Sequence, residues 1–221
     1  MKLCPDAKVY KNRPGLNPDG ILKGDNVLDI EDGQTFSVGE GKDRFSLKAL
    51  HCPGHTEDHM AFIVSESADG EEGTLFTGDN VLGHGTAVFE DLATYLNSLR
   101  LMSEKIGTKA RAYPAHGAVL EEGKAAIEMY IRHRHQREEE ALRVLRTGRV
   151  DEVSKEKPGV EIVAREWESM EMVKVIYKDV PENLHGPAEG SLLQVLKKLE
   201  GEGKVEKGRG GKWRLGKEAV L

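Results

Sequence analysis

"LHCPGHTEDHMAFIV", residues 50–64, sets His51, His55 and His59 close together and then runs into an apolar stretch. Pro53-Gly54 breaks regular structure just ahead of His55, while Met60 to Val64 has the apolar, β-branched and aromatic content of a strand. That puts imidazoles in a loop at a strand end, where a rigid scaffold aims a ligand at a metal ion. One such loop is half of a site. The other donors must come from elsewhere.

Working outward, turn signals alternate with short apolar runs. "NRPGLNPDG" (12–20) predicts turns at Pro14 and Pro18; "NVLDI" (26–30) and "FSLKAL" (45–50) read as strands, with "EDGQTF" (31–36) and "GEGKD" (39–43) as breakers. "MAFIVSE" (60–66) and "TLFTG" (74–78) form the next strand pair. Residues 86–107 read as a helix, with Leu92, Leu96, Leu99 and Met102 at three- and four-residue steps and Gly107 at its end. "RAYPAHG" (111–117) is a short strand ending in a loop, and a long helix runs from about Glu121 to Thr147. Its centre, "RHRHQREEE", is a solvated charged face, because His133 and His135 are two apart and diverge on a helix.

Residues 151–166, polar and containing Pro158-Gly159, read as a linker. Beyond it come a short amphipathic helix (169–178), a turn at Pro181 and a helix (189–203) with Leu192, Leu193, Leu196 and Leu199 facing inward. "KVEKGRGGKWRLG" (204–216) then predicts two short strands around a glycine turn, and this pattern points to a small winged-helix domain. The division is therefore 1–150 and 151–221.

Composition sets the outer bounds. The 221 residues are 38% hydrophobic and 32% charged with 25 glycines, which fits a loop-rich α/β protein with a limited core. A net charge of −6 gives no whole-chain reason to expect nucleic acid. Cys4 and Cys52 are too few for a disulfide framework, so a reducing compartment is expected. No apolar run has membrane length and Met1 is not followed by an apolar leader, so the expected location is the cytoplasm.

Three segments place a polar donor beside a strand: His55 in "PGHTEDH", Asp79 in "FTGDN" and His116 in "YPAHG". Alone, an Asp after Gly is ordinarily a turn residue and a single His ordinarily a hydrogen-bonded structural one. Their order, however, resembles the metallo-β-lactamase superfamily. "CPGHTEDHMAFIV", "LFTGDNVLGHGTAVFEDLATYLNSL", "AYPAHGAVLEEG", "YIRHRHQREEE" and the tail "VIYKDVPENLHGPAEGSLLQVLKKLEGEGKV" are all similar to the group containing beta-lactamase-like protein 2 and the lactamase-like thioesterases of fungal aromatic polyketide pathways. The resemblance covers most of the chain from about residue 45. It implies the C-terminal part of an αββα metallo-β-lactamase sandwich followed by a small winged-helix domain. It also implies two zinc ions, with His55 on the first metal, Asp79 bridging and His116 on the second.

The departures are equally informative. The superfamily's His-x-His-x-Asp-His motif does not occur in this chain, whose first histidine is His51, and "PAHG" has Ala115 where Gly is usual. Each ion is left with two protein donors, fewer than the three that even an open zinc site uses. His51, His59 and His84 are the candidate substitutes, and His59, leading into an apolar strand, reads as structural. No catalytic side chain is named, since metal-bound hydroxide would be the nucleophile in a complete relative.

The resemblance implies a metal-dependent hydrolase, foremost a thioesterase releasing a polyketide bound to an acyl carrier protein. An endoribonuclease, the activity associated with beta-lactamase-like protein 2, is the alternative; a non-catalytic fragment or binding remnant is the third reading. For RNA the relevant feature is the basic tail, where Lys197, Lys198, Lys204, Lys207, Arg209, Lys212 and Arg214 outnumber Glu200, Glu202 and Glu206. Lys207, Arg209 and Lys212 would be its phosphate contacts, although a solvated face on a packing domain accounts for them as well. Loss of the cover on one side of the sheet would expose apolar surface and favour a homo-oligomer.

Overall fold

A computed structural model describes residues 8–12, 27–150, 165–208 and 210–216. The expected turns at Pro14 and Pro18 and nearly all of the expected linker, 151–164, lie outside the described residues. The chain divides into two compact units, Met1–Tyr130 and Ile131–Leu221.

In the first unit, β1 (Val9–Lys11) and β2 (Val27–Asp29) form a short parallel pair. The main sheet has five strands in sequence order: β3 (Thr35–Val38), β4 (Phe45–His51), β5 (Met60–Glu66), β6 (Leu75–Gly78) and β7 (Ala112–Pro114). The first four are antiparallel neighbours joined by short turns, whereas β7 lies parallel to β6. A parallel neighbour needs a crossover, supplied by α1 (Leu92–Lys105). The functional consequence is that the ends of β4, β6 and β7 bring three distant loops together.

The sheet's two faces differ in character. Leu50, Ala61, Leu75 and Ala112 are buried, together with Tyr95, Leu96, Leu99 and Met102 of α1. On the other face, Phe62, Phe76 and Tyr113 pair across β5, β6 and β7. Tyr113 stacks on Phe76 at 5.3 Å, and Phe36 meets Phe62 edge-on at 6.4 Å. Phe76 keeps 38% of its surface exposed and Val38 68%.

Three local expectations need correction. Thr35–Val38 is a strand, not part of a breaker, since its alternating side chains pair with Phe45–Lys48 across a six-residue turn. The first helix begins at Leu92, because the Asp91 carboxylate accepts the Thr94 N–H at 2.8 Å and caps it, leaving 86–91 irregular. The last helix begins at His185, as Pro187 sits within its first turn, where no intrahelical N–H is lost.

The long helix α2 (Gly123–Thr147) starts in the first unit and ends in the second. The second unit continues with α3 (Ser169–Ile176), α4 (His185–Gly201), β8 (Val205–Lys207) and β9 (Trp213–Leu215). Trp167 exchanges two backbone hydrogen bonds with Trp213, 2.8 and 2.7 Å, and so pairs with β9 in a single antiparallel bridge. On α4 the buried set is Leu192, Val195, Leu196 and Leu199; Leu193, expected inward, is exposed, because the i, i+3, i+4, i+7 stripe selects Val195 instead. Lys198 bonds Glu138 at 2.8 Å and Glu202 at 2.6 Å, tying α4 to the C-terminal part of α2. No described helix is long and apolar enough to cross a membrane.

Candidate functional site

Asp79 follows β6 directly and stands between two histidines. His55 Nε2 lies 3.9 Å from Asp79 Oδ2, and His116 Nε2 lies 3.4 Å from Asp79 Oδ1. Each imidazole therefore addresses a different oxygen of one carboxylate. The three residues singled out in the sequence meet at one place, and the neighbouring loops explain how.

His55 is turned by its other nitrogen: Nδ1–H donates to the Val88 carbonyl at 2.8 Å, leaving Nε2 toward Asp79. The His116 loop is pinned to the Asp79 loop by the Ala115 N–H on Gly78 O at 3.0 Å and the Gly83 N–H on His116 O at 2.8 Å. His59 is buried beneath, with Nδ1 at 3.1 Å from Cys52 O and Nε2 accepting the Asp79 N–H at 3.0 Å. Burial, and then the neighbouring His55, push its pKa down from 6.5 to about 4. Gly78 has φ of +56°, and a Cβ there would come within 2.5 Å of His59 Nε2. Only glycine fits.

Sequence reasoning did not name the residues that fix this loop from behind. The Asn80 amide donates to Cys52 O at 2.8 Å, the Tyr95 hydroxyl donates to Asn80 O, and the Leu82 N–H donates to the Tyr130 hydroxyl at 3.1 Å. Thr77 closes the turn by donating its hydroxyl to Val81 O at 2.8 Å. The only sequence signal was polar residues inside otherwise apolar runs. Cys52 is no nucleophile: burial, helped by Asp32, raises its thiol to about 12.

The donor set does not complete a zinc site. Among the described residues no group of three or more His, Cys, Asp or Glu side chains is arranged to hold a metal ion. His51 engages the Glu57 carbonyl at 3.0 Å, and His59 has both nitrogens occupied. The shared carboxylate with two imidazoles is what the chain supplies.

The basic hairpin is satisfied within its own unit. Lys212 pairs with Glu168 at 3.5 Å, Arg214 with Glu206 at 3.0 Å and Glu166 at 3.6 Å, and Lys207 lies 5.3 Å over the Trp213 ring. Trp213 is buried, so it offers no face for stacking a base. Arg209 lies outside the described residues.

Residues 169–213 match the family described as beta-lactamase associated winged helix domain. Lactamase-like protein nscB of Trichophyton verrucosum is 42% identical over 195 residues, covering 87% of this chain and 59% of that protein. The beta-lactamase-like protein 2 homolog of Drosophila melanogaster is 40% identical over 205 residues, with 90% and 61% covered. Atrochrysone carboxyl ACP thioesterase of Aspergillus chevalieri is 37% identical over 200 residues, with 90% and 56% covered. The chain thus spans somewhat over half the length of these curated relatives. Among solved structures, a beta-lactamase domain protein from Burkholderia ambifaria superposes with a TM-score of 0.62 at 20% identity, covering 87% of this chain and 53% of that one.

Proposed function

We propose that this chain, which belongs to the metallo-β-lactamase superfamily, contributes His55, Asp79 and His116 to a metal-dependent hydrolytic centre acting on an acyl thioester carried by an acyl carrier protein. The observation behind this reading is the Asp79 carboxylate with one imidazole nitrogen facing each of its oxygens, at 3.9 and 3.4 Å. His55 donates from Nδ1 to the Val88 carbonyl, which turns Nε2 toward the Asp79 carboxylate. Asp79 would be the residue to hold two ions in common, with His55 and His116 as the further donors. The thioester is supported by the name of the Aspergillus chevalieri relative.

Because each ion would find only two protein donors here, no step of hydrolysis is assigned to this chain's side chains. What they do is geometric. His55 and His116 come from loops anchored to the Asp79 loop, and the buried polar groups behind hold that loop in place. A reading as a non-catalytic binding remnant is favoured by the absence, among the described residues, of three donors arranged to hold a single ion. RNA cleavage ranks below both, because the described cations of the hairpin have partners in their own unit.

The test joins the chain to the portion of the Trichophyton relative that it does not match. With zinc added, the joined protein should hydrolyse an acyl-pantetheine thioester, and Asp79→Ala should lower turnover by about a hundredfold or more. Cleavage of single-stranded RNA with no thioester turnover would overturn the substrate assignment.

A further inference from the structure

We propose that His59 is the positioning residue for Asp79: a neutral imidazole, fixed as the Nδ1–H tautomer, that sets the main chain at Asp79 and with it the direction of the carboxylate. The role rests on the reading of Asp79 as the shared donor. The hydrogen-bond partners determine the tautomer. A backbone N–H can only donate, so Nε2, 3.0 Å from the Asp79 nitrogen, accepts and carries no proton. A backbone carbonyl can only accept, so Nδ1, 3.1 Å from Cys52 O, carries the hydrogen. Neither nitrogen has a free lone pair, which removes His59 from the substitute ligands.

These bonds belong to a closed ring of contacts. Cys52 O also accepts the Asn80 amide at 2.8 Å, and the Cys52 N–H donates to His59 O at 3.0 Å. The loop that follows β4, the start of β5 and the loop that follows β6 are thereby joined through one carbonyl and one ring. Gly78 completes the fit, since a Cβ at that position would collide with His59 Nε2 at 2.5 Å. The glycine ahead of Asp79 thus answers to the imidazole behind it, and the Asn after it to the same Cys52 carbonyl. The ring spans the gap with a donor at one end and an acceptor at the other. A glutamine amide offers the same pair at similar reach, whereas leucine fills the volume and offers neither.

The experiment uses the full chain without added metal. Long-range proton–nitrogen NMR on the His59 ring should show the Nδ1–H form, and the Asp79 amide should be protected from hydrogen exchange. His59→Leu should speed exchange at the Asp79 amide by about tenfold or more, and His59→Gln should restore much of that protection. An Nε2–H ring, or equal Asp79 protection in the Leu and Gln variants, would overturn the proposal. If the Leu variant does not fold, the wild-type tautomer and the Gln variant still decide it. Thioester turnover does not enter these readouts, so failure of the hydrolase reading and failure of this one are distinguishable. In the joined protein with cobalt(II) in place of zinc, His59→Gln should keep the visible spectrum of the parent, and a spectrum unchanged by His59→Leu would also count against a positioning role.

Discussion

The loops around Asp79 and the hairpin Val205–Leu215 both concentrate charged or ligating side chains, and the sequence drew a functional reading from each. They differ in how those side chains are satisfied. At Asp79, imidazoles from two distant loops face the two oxygens of one carboxylate at 3.4 and 3.9 Å, and the His59 ring behind them has both nitrogens hydrogen-bonded. In the hairpin, Lys212 and Arg214 have acidic partners in the same unit and Lys207 has a ring. Exposed pairs of that kind are worth little energetically, but they occupy the cations. Charge density therefore marks a site poorly. Donors gathered from distant loops onto one carboxylate mark it better.

The largest expected effect sharpens the Asp79 side of that contrast. Gly78→Ala combines a left-handed φ with a clash at His59 and should cost about 3 kcal/mol of stability, read as a lower urea midpoint at unchanged slope. A shift below about 0.5 kcal/mol would mean that the loop yields easily and is not a rigid mount.

A pH effect comes next. His59 holds a folded pKa of about 4, below its ordinary 6.5, so on acidification the unfolded chain takes up the proton first. Its contribution is complete above about pH 6.5 and is lost as pH falls toward 4, amounting to about 2 kcal/mol between pH 7 and pH 5. His59→Gln should flatten that segment of the stability profile. An identical slope in both proteins would place the acid sensitivity elsewhere.

The smallest effect concerns the hairpin. Lys207→Ala and Lys212→Ala should each change stability by less than about 0.5 kcal/mol. Neither should alter the salt dependence of single-stranded RNA retention on a filter. A reduced salt slope in either variant would make the hairpin a phosphate-binding surface and erase the contrast.

How much of this was legible beforehand follows from the range of the forces involved. His55, Asp79 and His116 could be placed in loops because Pro53-Gly54, Gly78 and the end of "AYPAHG" punctuate strands locally. The strand at Thr35–Val38 was lost to a neighbouring glycine cluster, since only its pairing with β4 decides between turn and strand. The start of α1 turned on one side-chain cap, Asp91. Burial of His59 followed from its apolar neighbours, but its double hydrogen bond depends on Cys52 O and Asp79 N, which tertiary structure alone brings together. Neutralisation of the hairpin was equally hidden, because Glu166 and Glu168 lie some forty residues earlier in the chain.

The central claim is that this chain offers a shared carboxylate and two imidazoles, two protein donors for each ion. Zinc content of the purified chain after exhaustive dialysis, by elemental analysis, tests that most directly. The expected result is well under one equivalent, little changed by His55→Ala. One or more tightly held equivalents, lost on Asp79→Ala, would contradict it and show that further donors of this chain complete the site.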